Sequence, residues 1–375
     1  MNRAEIAIVG GGILGLAHAY VLARRGRRVV LFERGQQARG ASVRNFGMIW
    51  PIGQPAGEMH SLALRSRELW IAALEAAKLP SLPTGSLHVA HRPDEADVLR
   101  EFAETGPAAG YACQWQSPQE VCRRSAAIQP KGLQGGIWSA TEITVDPRRI
   151  VAELPAYLRS IGVEMRFGAA VRRIDLPLIE TAQEQWQVDA AMVCSGDDFE
   201  TLHPETFAAA ALTRCKLQMM RTAPQPDGWQ LGPALAAGLT LRFYKAFQIC
   251  STLERLKERV KNEMPEYDKW AIHVLVSETA DGAITLGDSH EYGACPDVFD
   301  KPEIDDLILR EAATFLQLPD WRIAQRWNGT YSIDPNRPFF EAEPAKAVHI
   351  VTAPGGSGMT LSFGLAERTA DRAGY

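Results

Sequence analysis

A chain of 375 residues is longer than one ordinary hydrophobic core supports, so two domains sharing an interface are expected. Hydrophobic residues at 46% and charged residues at 23% are the usage of a soluble globular enzyme and exclude a disordered or fibrous chain. A net charge of -5 supplies no basic field for phosphate backbones, which excludes nucleic acid as an expected partner.

The run Ile6-Ala7-Ile8-Val9 predicts a strand buried on both faces, as parallel sheets require. It leads into Gly10-Gly11-Gly12-Ile13-Leu14-Gly15. Apolar residues at helical spacing (Leu14, Ala17, Val21, Leu22) then predict a helix over 13–25, stopped by Gly26. A second strand, 29–33, ends at Glu33. Helices are expected over 59–79, before Pro80 and Pro83, and over 147–161, with Asp146 as N-cap ahead of Pro147. Strands are expected at 163–167, 169–174, 185–189 and 190–194, the last ending in Ser195-Gly196. From about 213 to 330 the pattern changes. Alternation at 239–243 and 273–276 predicts antiparallel strands, with a helix near 301–316. A buried strand at 347–352, a glycine-rich turn at 353–359 and a helix from Thr360 close the chain.

Gly10, Gly12 and Gly15 form G-x-G-x-x-G between a strand and a helix. The first permits a tight turn, the second lets backbone approach a pyrophosphate, and the third packs helix on strand. The helix start, through Ile13 and Leu14, offers unpaired N–H groups and a partial positive charge to phosphates. Glu33, followed by Arg34, stands where an acid binds ribose hydroxyls and repels a 2′-phosphate, so NADP is disfavoured while NAD and FAD stay open. The six cysteines are scattered without a CxxC pair or Cys/His clustering, so reduced thiols and no metal are expected. The early first strand leaves no room for a signal peptide, and no apolar run approaches the roughly 18 residues of a membrane span. A cytoplasmic location is expected.

The segment Gly40-Ala41-Ser42-Val43-Arg44-Asn45-Phe46-Gly47-Met48 resembles the D-amino-acid oxidase and glycine oxidase superfamily of FAD-dependent oxidoreductases. Two further segments fit that pattern: Ala190 to Gly196, an apolar strand ending in a small-residue turn, and Gly355-Gly356-Ser357-Gly358-Met359-Thr360 at the start of the last helix. The resemblance implies an α/β fold, α+β overall: a Rossmann-type FAD-binding domain (1–84, 145–212 and 327–375) and a substrate domain on a mostly antiparallel sheet (85–144 and 213–326). It implies non-covalent FAD, with Ser42, Asn45, Gly47 and Met48 along the flavin and Val171 on the adenine side. Ser195 and Gly196 fall near the pyrophosphate, and Gly355, Gly356, Gly358, Met359 and Thr360 at the pyrimidine edge. A helix start aimed there stabilises the negative charge of the reduced ring. More narrowly, Ser42 to Pro51 resembles a subfamily linked to aminophosphonate catabolism.

The substrate side departs from the superfamily. Where a W-x-G-L-R-P-like segment supplies an arginine for the substrate carboxylate, this chain reads Trp327-Asn328-Gly329-Thr330-Tyr331-Ser332, and Gly356 stands at the second arginine position. Candidates to bind another anion are Arg242, Tyr244, Lys245, His290, Tyr331 and Arg337. Hydride transfer from a neutral amine to the flavin demands orientation more than acid/base groups, so no catalytic residue is assigned. The reading is an FAD-dependent oxidoreductase that oxidises a small primary or secondary amine, passing electrons to oxygen or another acceptor. The alternatives are a D-amino-acid or glycine/sarcosine-type enzyme, an NAD-dependent dehydrogenase, and a non-catalytic FAD-binding protein; a flavoprotein hydroxylase lacks its Asp-Gly ribose motif here.

Overall fold

The computed structural model describes residues 2–375. A six-stranded sheet has the order Phe340–Ala345, Val348–Thr352, Ala190–Val193, Ile6–Val9, Val29–Glu33, Glu164–Phe167. All its pairings are parallel except the outermost, Phe340–Ala345 with Val348–Thr352. Its inner strands are almost wholly apolar because both faces are covered. Helices Ile13–Arg24, Pro147–Ser160 and Gly358–Ala373 pack on one face. On the other lies a four-stranded sheet of Asn2–Arg3, Gln185–Gln187, Leu178–Thr181 and Val171–Asp175. The strand Leu178–Thr181 lies where only a loop was expected. Asp146 caps its helix as expected, its Oδ1 accepting from the Arg148 amide at 3.0 Å.

A nine-stranded, mostly antiparallel sheet carries the larger core. Its spine is the strand Thr213–Pro224, paired along nearly its whole length with Ile323–Ile333. The expected domain boundary at 327 therefore falls inside a strand that stays in this sheet to Ile333. Two expectations for this region need correction. Residues 239–243 are not a strand: Gly238–Arg242 is a 3₁₀ helix, bent by the Thr240 Oγ1 bond to the Ala237 carbonyl at 2.6 Å. The backbone passes so close to Glu95 that a Cβ on Gly238 would lie 2.1 Å from the Glu95 carboxyl carbon. The strand expected at 273–276 runs instead over Leu275–Glu278 and forms a hairpin with Ala283–Gly287.

The last helix is fixed at its start by two tryptophans. Trp70, fully buried on helix Glu58–Ala77, donates its indole N–H to the Met359 carbonyl at 2.8 Å and packs on Phe363. The Trp50 amide donates to Thr360 Oγ1 at 2.9 Å. The two helices touch closely at Gly364, where a Cβ would come 2.7 Å from the Leu62 carbonyl oxygen. Replacing Trp70 by Phe should keep the packing but lose the hydrogen bond, costing about 1 kcal/mol, while Trp70→Ala should cost about 3–5 kcal/mol. Urea unfolding of the three proteins measures both differences.

Behind the large sheet, Glu95 and Glu311 line a cleft of about 280 Å³ together with Arg92 and Lys131. Burial first, and then the nearby Glu95 charge, push the Glu311 carboxyl up to about 7 against the pull of Arg92, Arg259 and Arg242. The unfolded chain ionises this group near 4.5, so between 4.5 and 7 the folded state holds the extra proton and stability falls as pH rises. Glu311→Gln should remove this decline, seen as a flatter curve of unfolding free energy against pH than that of the unaltered protein. Equal slopes would contradict it.

Candidate active site

The glycine turn after Ile6–Val9 is shaped by backbone contacts. A Cβ on Gly10 would lie 2.3 Å from the Cys194 carbonyl oxygen, and one on Gly15 would lie 1.9 Å from the Gly10 carbonyl oxygen. Only glycines let the helix approach the strand so closely. The Glu33 carboxylate accepts from the amides of Gly11 and Gly35, both at 2.8 Å, and so joins the first turn to the end of the second strand. Ser42 Oγ accepts from the Ile13 amide at 2.9 Å, and a Cβ on Gly12 would touch the same oxygen at 3.0 Å. Leu14 is buried, its carbonyl bonded to His18 Nδ1 at 2.7 Å. Val171 is buried just beyond the Ala169 amide, which donates to the Glu33 carbonyl at 3.0 Å. Ser195 donates to the Asp198 carbonyl, Gly196 accepts from Thr352 Oγ1 at 2.7 Å, and Arg34 pairs with Asp198 at 2.8 Å. These expected adenosine-pyrophosphate residues thus form one edge at the carboxyl ends of the parallel strands.

The loop after Gly40 crosses from that edge to the large sheet. Asn45 braces it, donating to the Ala41 carbonyl and accepting from the Gly47 amide at 2.7 Å. Gly47 has φ 72° and no room for a side chain, because a Cβ would meet the Val145 carbonyl oxygen at 1.8 Å. Met48 then pairs with Thr144 in a short two-stranded sheet. Arg44 donates to the Asn328 carbonyl at 3.0 Å and has no carboxylate partner among the described residues. At the far side, Gly355–Ser357 is a 3₁₀ turn and the helix begins at Gly358, two residues earlier than expected. The first N–H groups of a helix lack intrahelical acceptors, and neither this first turn nor that of Ile13–Arg24 contains an acidic residue. Gln54 Nε2, bonded to Ser357 Oγ at 2.9 Å, ties the helix start to the turn after Trp50.

Tyr331 and Gly356, read as the two substituted arginine positions, are brought together: a Cβ on Gly356 would lie 3.7 Å from the Tyr331 hydroxyl. His290 is adjacent, its Nε2 3.4 Å from that hydroxyl and its Nδ1 2.9 Å from the Tyr292 hydroxyl. Asp288 Oδ1 lies 2.9 Å from His273 Nε2 and 4.0 Å from His290 Nε2. Phe243 stacks on His273 and meets His290 edge-on. Burial holds His290 down at about 4 although Asp288 opposes the shift, so its ring is neutral near pH 7. Burial works to raise Asp288, but the neighbouring His273 and His290 outweigh it and hold the carboxyl below its ordinary range. Burial raises the Tyr331 hydroxyl well above its ordinary value, which keeps it a neutral donor.

Among the other substrate candidates, Tyr244 packs its ring on Gly53, whose Cβ would lie 2.5 Å from Tyr244 Cδ1. Arg242 is engaged by Asp268 at 2.8 Å and by the Ile272 carbonyl, Arg337 is engaged by Asp334 at 2.7 Å, and Lys245 is exposed. These three cations are not gathered around Tyr331. The sequence reading missed His273 and Asp288 as site residues and expected no cluster of metal-ligand type. The two are joined at the open end of the hairpin by mutual backbone hydrogen bonds at 2.7 and 3.2 Å, one residue out of the register of its strands, which no sequence pattern signals. Two open clefts, the one beside Glu311 and one between Glu58–Ala77 and the last helix, have linings that include none of these residues.

The donors fit FAD. An N–H-rich turn without side chains, an acid at the strand end, and a second acid-free helix start would hold pyrophosphate, ribose and the pyrimidine edge respectively. A family model described as FAD dependent oxidoreductase (DAO) matches residues 5–372. Glycine oxidase of Geobacillus kaustophilus is 28% identical over 169 residues, covering 43% of this chain and 45% of that enzyme. D-amino-acid oxidase of Streptomyces coelicolor is 43% identical over 67 residues, 18% of this chain and 21% of that enzyme. The matched stretches thus span less than half of either relative. The solved glycine oxidase from Geobacillus kaustophilus superposes with a TM-score of 0.79 at 19% identity, covering 100% of this chain and 95% of that one. L-proline dehydrogenase from P. horikoshii gives 0.79 at 18% identity, covering 99% and 93%. L-alpha-glycerophosphate oxidase from Mycoplasma pneumoniae, solved with FAD bound, gives 0.77 at 17% identity, covering 100% and 96%. These three likenesses establish the fold. Glu33→Ala should weaken FAD binding about 10- to 100-fold, the loss expected when hydrogen bonds to a charged acceptor go, as read by flavin retained on dilution.

Proposed function

Because the chain belongs to the FAD-dependent oxidoreductase family, we propose that it oxidises a small primary or secondary amine, and that this amine carries an anion other than an ordinary α-carboxylate, an aminophosphonate being the class that fits. The pairing of Tyr331 with Gly356 carries this reading. Where a guanidinium would grip a planar carboxylate in two places, this wall offers a neutral hydroxyl and a neutral imidazole. The likeness of Ser42 to Pro51 to enzymes of aminophosphonate catabolism supports the same class. Similarity to glycine oxidase and D-amino-acid oxidase supports an amine as the electron donor.

Bound FAD supplies the acceptor for the hydride that leaves the amine carbon, and the resulting imine hydrolyses in water to a carbonyl compound. The chain's own residues orient and shelter. Phe243 and Tyr244 give the substrate side apolar surface that limits water. The Tyr331 hydroxyl, beside the His290 ring, presents a donor for the polar end of the amine. The acid-free turn at Gly358 supplies positive potential where negative charge develops.

Anaerobic mixing with an amine panel tests the proposal. Bleaching of the flavin by 2-aminoethylphosphonate or an N-alkyl relative is expected. Bleaching by glycine, sarcosine or D-alanine alone would instead favour the amino-acid reading, and no bleaching by any amine would favour a non-catalytic FAD protein. Tyr331→Arg should shift the preference toward glycine or D-alanine by about 10- to 100-fold in kcat/KM relative to the aminophosphonate.

A further inference from the structure

The substrate side, as proposed above, must accept an anion, yet the cations nominated for it are engaged elsewhere. Arg242 pairs with Asp268 and Arg337 with Asp334, and Lys245 is exposed. What does face the Tyr331 wall is a group of three metal-ligand side chains, His273, Asp288 and His290, whose donor atoms all lie within 4.8 Å of one another. They sit just outside the open end of one hairpin, His273 before its first strand and Asp288 and His290 after its second, held by backbone hydrogen bonds between His273 and Asp288 and from the His290 amide to the Trp270 carbonyl.

Their surroundings are those of ligands. His273 Nδ1 faces the Ala271 carbonyl at 3.0 Å, and a carbonyl can only accept, so that nitrogen carries a proton; Nε2 faces Asp288 Oδ1 at 2.9 Å, an approach that needs positive charge between the two, supplied by a proton or by a bound cation. His290 Nδ1 faces the Tyr292 hydroxyl at 2.9 Å, which can likewise accept and leave Nε2 directed at Asp288. Asp288 Oδ1 is buried and, despite lying 2.9 Å from His273 Nε2, has no hydrogen bond of acceptable geometry. An orphaned buried carboxylate oxygen between two inward-turned imidazoles is a costly arrangement unless something positive sits there.

We propose that His273 Nε2, Asp288 Oδ1 and His290 Nε2 bind a divalent transition-metal ion of zinc type. Two imidazoles and one carboxylate make a three-ligand set that leaves a coordination position open. That position lies on the side of the Tyr331 hydroxyl, which is 3.4 Å from His290 Nε2 and borders the Gly355–Gly356 turn. There the ion accepts an oxygen of the substrate's phosphonate or other anion. This role rests on the amine-oxidation reading; the metal site itself does not.

The test counts metal on the purified, FAD-loaded full chain after exposure to Zn²⁺ and removal of excess ion. About one zinc per flavin is expected, as is a cobalt-substituted form with visible absorption beyond the flavin bands. His290→Ala and Asp288→Asn should each abolish stoichiometric binding. Tyr292→Phe alters an exposed side chain whose hydroxyl braces His290, and should weaken zinc binding about 10- to 100-fold with full flavin content. Should the ligand variants fail to fold, the unaltered protein and Tyr292→Phe decide the matter. Full flavin content with no stoichiometric zinc and no cobalt bands would overturn the site. A site left empty while aminophosphonates still bleach the flavin refutes only the metal, and a filled site with no amine bleaching refutes only the proposed function.

Discussion

Two helix starts free of acidic residues, at Gly12 and at Gly358, face the same edge of the parallel sheet, and the placement of everything else follows from them. Each start is held by close backbone contact. Gly15 lets the first helix settle on Gly10, and Gly364 lets the last helix settle on Leu62, while Trp70 fixes its register. A cofactor with a pyrophosphate at one end and an electron-rich ring at the other matches two positive ends set apart on one edge. The Ser42 to Met48 loop has to bridge them, which explains its small residues and the positive φ at Gly47.

The parts of the molecule that depend on local rules were legible in the sequence. Period, caps and turn glycines identify Ile6–Val9, Ile13–Arg24, Val29–Glu33 and Pro147–Ser160 within a residue or two. The segment 239–243 failed because alternation is also what a 3₁₀ turn over a buried glutamate can show, and nothing local reveals that Glu95 lies against Gly238. The substrate candidates divide on the same ground. His290 and Tyr331 meet because strand register brings them together, whereas Arg242 and Arg337 were nominated for charge alone, and their fates were set by distant or unremarked carboxylates, Asp268 and Asp334.

His273 shows the limit more sharply. It was read only as a residue of an expected strand, with no apolar or glycine signature of its own. Counting back along both arms from the Asp281-Gly282 tip sets His273 opposite Ser289, but beyond the strands the backbone slips by one residue and His273 exchanges hydrogen bonds with Asp288 instead. The pairing that brings these side chains together departs from the strand register, so neither a linear scan for ligand spacing nor counting along the hairpin finds it.

The charge on the Tyr331 wall also constrains how any zwitterionic amine can bind. With Tyr331 and His290 neutral, the carboxyl beside them is that of Asp288, held below its ordinary range by its histidine neighbours. An anion brought within about 6 Å of it would meet a repulsion of about 3 kcal/mol at an effective dielectric of about 20. Unless positive charge is added beside Asp288, an ammonium pole turns to the wall and the anionic pole turns away from it. Charge at one buried carboxylate therefore decides which end of the substrate faces the helix start at Gly358, and with it which carbon can lie over the flavin.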